Sequence, residues 1–225
     1  MKYLPQMMAA LLLAATLPAS AFANSVSDGN AAFDRHDFAG AMAQWQPLAE
    51  RGNMKAENDM GSLYQNGQGV KRDYAEALKW YDMAAAQGSA EAMNNKGIMF
   101  DNGQGVKKNY AEAAKWYGKA ADKGYSEAQY NIGAMYYAGQ GVQRNTAIAA
   151  TWFRKAAKQG DSRAQFNLGV MYRKGEGVEK DPVKAYKWLS RATAAGDKNA
   201  PRQLAILTAI MSAGQVAEAK SLVRQ

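Results

Sequence analysis

Apolar side chains recur along the chain at the spacing of a helix face. Ala56, Met60, Leu63 and Tyr64 fall at i, i+4, i+7 and i+8, and Tyr74, Ala77, Leu78, Tyr81, Ala84 and Ala85 form a second stripe shortly after. Two such stripes, separated by a glycine-rich break, predict a pair of amphipathic helices joined by a tight turn. The pair then repeats. Gly67-Gln68-Gly69-Val70 returns as Gly103-Gln104-Gly105-Val106, Gly139-Gln140-Gly141-Val142 and Gly175-Glu176-Gly177-Val178, each 36 residues after the last. The same register carries Gly61, Gly97, Gly133 and Gly169; Tyr64, Phe100, Tyr136 and Tyr172; Trp80, Trp116, Trp152 and Trp188; and Gly88, Gly124, Gly160 and Gly196. A fixed period of this length marks units that cannot bury their apolar faces alone and stack on their neighbours. The expected fold is all-α, a right-handed superhelical solenoid of helix-turn-helix repeats.

Two alanine columns, Ala77, Ala113, Ala149, Ala185 and Ala84, Ala120, Ala156, Ala192, favour helix and let helices approach closely, with the tryptophans expected to fill the space between units. Gly88, Gly124, Gly160 and Gly196 sit where a helix ends in a left-handed residue, and Asp181-Pro182 reads as the start of a second helix. Four complete units follow, 53–88, 89–124, 125–160 and 161–196. Residues 24–52 read as an N-terminal capping half repeat, with a short helix near Asn30–Arg35 ahead of Phe38, Ala41, Trp45, Ala49 and Gly52. Residues 197–225 read as a divergent C-terminal capping repeat. Ala200, Leu204 and Leu207 resume the first-helix stripe there, and Gly214–Val223 offers one more helix.

Ahead of the array, Lys2, the apolar run Met7–Leu17 and the small-residue site Ala21-Phe22-Ala23 read as a signal peptide over residues 1–23, with cleavage between Ala23 and Asn24. The apolar run is shorter than the roughly 20 residues a membrane span needs. The chain is expected to be exported to the periplasm or secreted. Composition narrows the chemistry. There is no cysteine, which removes disulfides and thiolate nucleophiles, and His36 is the single histidine, too few for a histidine-rich zinc site. The glycine-rich breaks lack the Gly-Lys-Ser/Thr of a phosphate loop, and no carboxylate pair recurs for acid–base work. No catalytic residue, cofactor or metal is expected.

The columns resemble the Sel-one-like repeat family, a branch of the tetratricopeptide-type solenoids. Its pattern runs Ala-x-x-x-Asn-(apolar)-Gly-x-Met-Tyr, then Gly-x-Gly-Val, then Ala-x-x-Trp-Tyr-x-x-Ala-Ala-x-x-Gly. The third unit matches with Ala128, Asn131, Ile132, Gly133, Met135, Tyr136, Gly139, Gly141, Val142, Ala149, Trp152, Phe153, Ala156, Ala157 and Gly160. Three positions depart from it: Asp59 replaces the asparagine, Lys96 takes an apolar place, and Trp45 aligns with Tyr81 rather than Trp80. The resemblance implies a non-catalytic scaffold or adaptor for a protein or peptide partner, or an immunity or inhibitor protein for an envelope-acting toxin. Some cysteine-rich secreted members are linked to β-lactams, so a β-lactam- or cell-wall-directed hydrolase is an alternative. This chain lacks those cysteines and the serine-lysine motif.

By analogy with tetratricopeptide repeats, the partner would lie in a concave groove lined by first-helix positions that vary between units. These columns are Asn58, Asn94, Tyr130, Phe166; Ser62, Ile98, Ala134, Val170; Gln65, Asp101, Tyr137, Arg173; and Asn66, Asn102, Ala138, Lys174, flanked by Asn95, Asn131 and Asn167. The groove would run from amide-rich to aromatic. Charge adds a second surface. The chain holds 28 Lys and Arg against 20 Asp and Glu, a net charge of +8, and Arg72, Lys108, Arg144 and Lys180 repeat just after the Gly-x-Gly-Val turn as a basic ridge. Lys119, Lys155 and Arg191 form a second basic column. An acidic envelope component such as polysaccharide would be its partner. Nucleic acid and stable membrane insertion are not expected.

Overall fold

The computed structural model describes residues 25–223, which form twelve α-helices and no strand. The signal-peptide reading, with its cleavage point at Ala23 and Asn24, lies outside the described residues. First and second helices alternate. They are α1 (Val26–Asp34) and α2 (Phe38–Ala49), α3 (Met54–Asn66) and α4 (Tyr74–Ala86), α5 (Ala90–Asn102) and α6 (Tyr110–Asp122), α7 (Ser126–Ala138) and α8 (Thr146–Lys158), and α9 (Ser162–Lys174) and α10 (Pro182–Ala194). Then come α11 (Ala200–Thr208) and α12 (Ala213–Val223), the latter packed back on α10. From α1 to α10 each helix packs mainly on the one before and the one after it, which is the connectivity of a solenoid. Among the described residues no helix is long and apolar enough to cross a membrane.

Helix ends follow the sequence closely. Asp73, Asn109, Asn145 and Asp181 cap the four second helices, their side-chain oxygens accepting backbone N–H groups of the first turn. The first helices of the four units end at Gly67, Gly103, Gly139 and Gly175. Each is left-handed, with φ near 70° (68° at Gly67), and its N–H returns to the carbonyl four residues back. In the α1–α2 turn this conformation falls on His36, at φ 61°.

Packing within a unit depends on a glycine facing an aromatic ring. A Cβ built on Gly61 would stand 2.6 Å from the Tyr81 ring, and one on Gly97 2.5 Å from Tyr117. Phe153 lies against Gly133, Leu189 against Gly169, and Trp45 against Gly29 in the leading pair. The core column is therefore Trp45, Tyr81, Tyr117, Phe153 and Leu189, all buried. This explains why Trp45 aligns with Tyr81. It also changes the role of the tryptophan column. Trp80 and Trp188 are buried, but Trp116 and Trp152 are half-buried at the edge of the core, each with a lysine ammonium over its ring. Lys96, at a position that is apolar in the other units, is itself buried. Its ammonium pairs with Asp82 and lies 3.5 Å from the centre of the Trp116 ring, so its charge is met on two sides.

Gly97→Ala is expected to destabilise the fold by about 1–3 kcal/mol, the usual cost of overpacking a filled core. Gly118→Ala, also within a helix but with no atom within 4 Å of the added methyl, is expected to stabilise it by about 0.5–1 kcal/mol through helix propensity. Urea unfolding of the two variants should move in opposite directions.

Candidate functional site

Four successive first helices share one cavity of about 580 Å³. α1 contributes Phe33 and Asp34, α3 contributes Ser62 and Asn66, α5 contributes Glu91 and Ile98, and α7 contributes Glu127. Side chains from helices that far apart along the array meet in one cavity only where the array curves toward them. This is the inner face of the solenoid, and it is the side on which the variable columns were expected.

Several expected contacts turn out to hold neighbouring units together. Asn95 Nδ2 donates to Asn58 Oδ1 at 3.1 Å, and Asn131 Nδ2 donates to Asn94 Oδ1 at 3.0 Å. Asn58 is 2% exposed and Asn94 is fully buried, so both amides are spent mainly between units, although Asn58 and Asn95 also border the cavity. Their column lies between adjacent first helices, where each buried amide oxygen accepts from the next unit. The ladder stops after Asn131 because the accepting place is taken by Tyr130 and Phe166 in the later units. Asn167 instead borders a small cavity of about 50 Å³ with Tyr137, Phe153, Val170 and Met171.

The third column is similarly committed. Gln65 Nε2 donates to Gln104 Oε1 (2.9 Å) of the next unit's turn, and Tyr137 Oη donates to Glu176 Oε2 (2.6 Å) in the corresponding place. That hydrogen bond, with Lys174 beside it, holds the Glu176 carboxyl below the usual range, and the Tyr137 hydroxyl is raised by the same contact. Tyr130 packs against Phe153 with ring centres 5.8 Å apart and carries the Arg163 guanidinium 4.1 Å above its ring. Phe166 and Val170 are half-buried against the C-terminal core, and Arg173 is half-buried. The aromatic half of the inner face is thus partly filled by its own packing, and the cavity of about 580 Å³ lies at the N-terminal half.

Arg72, Lys108, Arg144 and Lys180 are all exposed, as a ridge requires, and none lines the inner-face cavity, although Arg72 borders another of about 570 Å³ with Tyr64 and Tyr74. Arg72 lies 5.4 Å from the Tyr74 ring centre and Lys108 4.6 Å from that of Tyr110. The second basic column covers tryptophan faces: Lys119 on Trp116 (4.2 Å), Lys155 on Trp152 (3.8 Å) and Arg191 on Trp188 (5.5 Å). Those rings are therefore occupied by the protein's own cations.

Sequence reasoning missed the carboxylates of the cavity. Glu91 and Glu127 share one register position, with Lys55 and Arg163 in the same place of the first and fourth units. Reading charge down each column would have shown it. Asp34, on α1, lies outside the period and gave no such signal. Two further carboxyls of α3 are buried. Glu57 accepts from Gln87 Nε2 at 2.7 Å, and Asp59 accepts from Lys55 Nζ at 2.6 Å; burial raises both above their ordinary values.

Segments 55–89, 90–125, 126–161 and 162–197 each match the family model described as Sel1 repeat. A Sel1 repeat protein of Oxalobacter formigenes is 35% identical over 80% of this chain and 74% of its own, with a TM-score of 0.73. A protective antigen of uropathogenic Escherichia coli displaying an SLR fold is 32% identical over 82% of this chain and 42% of its own, with a TM-score of 0.72. Immunity protein Pa5087 of Pseudomonas aeruginosa, at 23% identity over 76% of this chain and 67% of its own, shares the fold, with a TM-score of 0.53. No curated protein matches the chain significantly.

The raised carboxyls set a pH dependence. A carboxyl whose folded value is raised binds protons more tightly in the folded state, so its contribution is full below the unfolded value and is lost as pH rises through the folded one. For Glu57 and Asp59 stability should therefore fall as pH climbs above about 4.5 and 3.8, their ordinary values. Glu176 and Asp181, both lowered, act oppositely below their ordinary values. Gln129 and Gln165 occupy the register of Glu57, and each side-chain amide donates to a backbone carbonyl there, Gln129 to Ala121 O at 3.2 Å. Glu57→Gln is expected to raise the unfolding midpoint at pH 7 and to flatten its fall above pH 4.5 in thermal melts.

Proposed function

Because the chain belongs to the Sel1 repeat family, we propose that it is an exported, non-catalytic scaffold that grips a partner protein along the inner face of its first helices. The observation that carries this reading is the cavity of about 580 Å³ built by α1, α3, α5 and α7 together. A groove shared among successive units is the surface on which a stacked array can lay an extended segment of another chain, since each unit presents the same helix at a fixed spacing. Packing supports the division of labour. Glycine, alanine and aromatic columns are consumed by the core, whereas Ser62, Asn66, Glu91 and Ile98 border open volume. Export rests on the reading of residues 1–23.

Capture from bacterial envelope extract tests the proposal. Ile98→Arg places a long cation in the cavity and is expected to remove most partner protein. Reversal of the ridge through Arg72→Glu, Lys108→Glu and Arg144→Glu is expected to leave capture intact. The opposite pattern assigns binding to the ridge and an acidic envelope polymer, and overturns the groove.

A further inference from the structure

The large cavity is acidic within a basic protein. Asp34, Asp59, Glu91 and Glu127 line it, and Lys55 is the single cation on its walls. Lys55 is already engaged with Asp59. None of Asp34, Glu91 and Glu127 forms an ion pair among the described residues. A second observation points the same way. Asp59 is 8% exposed, and its Oδ2 is buried with no hydrogen-bond partner. A buried carboxylate oxygen left without a partner is costly, and Asp59 lines the cavity, so its unbalanced negative potential is felt there.

Tyr125 adds a third. The corresponding position caps a first helix in the other units, through Asn53, Ser89 and Asp161, but Tyr125 supplies no side-chain cap. Its ring instead lines the cavity, and burial together with Glu91 and Glu127 pushes its hydroxyl up to about 12. A local rule broken at one unit, beside open volume, marks a place shaped by something other than folding. Phe33 stands on the other wall, so a cation entering here would meet carboxylates and aromatic faces together.

We infer that the N-terminal end of the inner face takes a Lys or Arg side chain from an extended basic segment of the partner, a specificity that rests on the groove reading above. The overall charge of +8 repels a basic peptide at long range. Its binding must therefore come from the local carboxylates, and the pocket would select a basic residue held against the general field. The volume beyond the carboxylates, toward Ser62, Asn66 and Ile98, accommodates the residues that flank it.

Isothermal titration of the full chain with four blocked nonapeptides, alike except for a central Arg, Lys, Gln or Glu, tests this. The Arg and Lys peptides are expected to bind at least tenfold more tightly than the Gln peptide. Glu91→Gln with Glu127→Gln should erase that preference while the chain stays folded, with only the small loss of stability that removing two first-turn acids brings, and Glu112→Gln, in the first turn of a second helix, should leave the preference unchanged. Equal affinity for the Arg and Gln peptides overturns the inference, as does a preference that survives the double variant or an absence of binding by all four. Spermidine binding as tightly as the Arg peptide overturns it too, by assigning the cavity to a free polyamine. If the peptides bind without regard to charge and Ile98→Arg abolishes them all, the groove stands and only the cationic specificity fails. If Ile98→Arg instead leaves both peptide binding and capture from extract intact, the groove itself fails.

Discussion

A glycine lying under a large apolar side chain, an aromatic ring in every unit but the last, governs the geometry of each unit. At Gly61 and Gly97 no side chain fits between the first helix and the ring of Tyr81 or Tyr117, so the two helices approach to a distance that any other residue would forbid. Between units the second glycine of the turn plays the matching part. A Cβ on Gly141 would stand 2.2 Å from the Tyr110 carbonyl oxygen at the start of the preceding second helix. These two contacts fix the spacing within a unit and between units. The curvature of the array, and hence the cavity on its inner face, follows from their repetition.

The core and the inner face use different chemistry on the same helices. Along α3, Ala56, Met60 and Leu63 are buried against neighbours, while Ser62 and Asn66 border open volume. The amides between these extremes, Asn58, Asn94, Asn95 and Asn131, pin one first helix to the next. Buried polar ladders of this kind supply registry, because a slipped neighbour would leave the amides unpaired. The charge follows a comparable division. Cations stack on tryptophan and tyrosine rings away from the cavity, and carboxylates collect inside it.

The periodic part of the structure was legible from sequence because period, turn glycines and caps all point to one answer. Asp73, Asn109, Asn145 and Asp181 recur where the second helices begin, and Gly67 through Gly175 where the first helices end. Less legible was anything set by which of two adjacent residues faces inward. Trp116 and Tyr117 are neighbours in sequence and both aromatic, and only the glycine opposite decides that Tyr117 fills the core while Trp116 stays at its edge. The same ambiguity hid the asparagines. A variable polar column reads as a binding surface whether its side chains face solvent or each other, and the bond from Asn95 to Asn58 spans two units. The acidic cavity combined a periodic pair, Glu91 and Glu127, with Asp34 from a helix outside the period, so no single column contained it.

The hydrogen bonds between units, from Gln65 to Gln104, Asn131 to Asn94 and Tyr137 to Glu176, join residues 37 to 39 positions apart. Nothing in this ladder asks distant ends of the chain to find one another. A polypeptide organised so can assemble progressively from whichever unit forms first, each finished pair serving as the template for the next, with little loop-closure entropy to overcome. As the chain lengthens during synthesis, the inner face would take shape in the order in which the units appear.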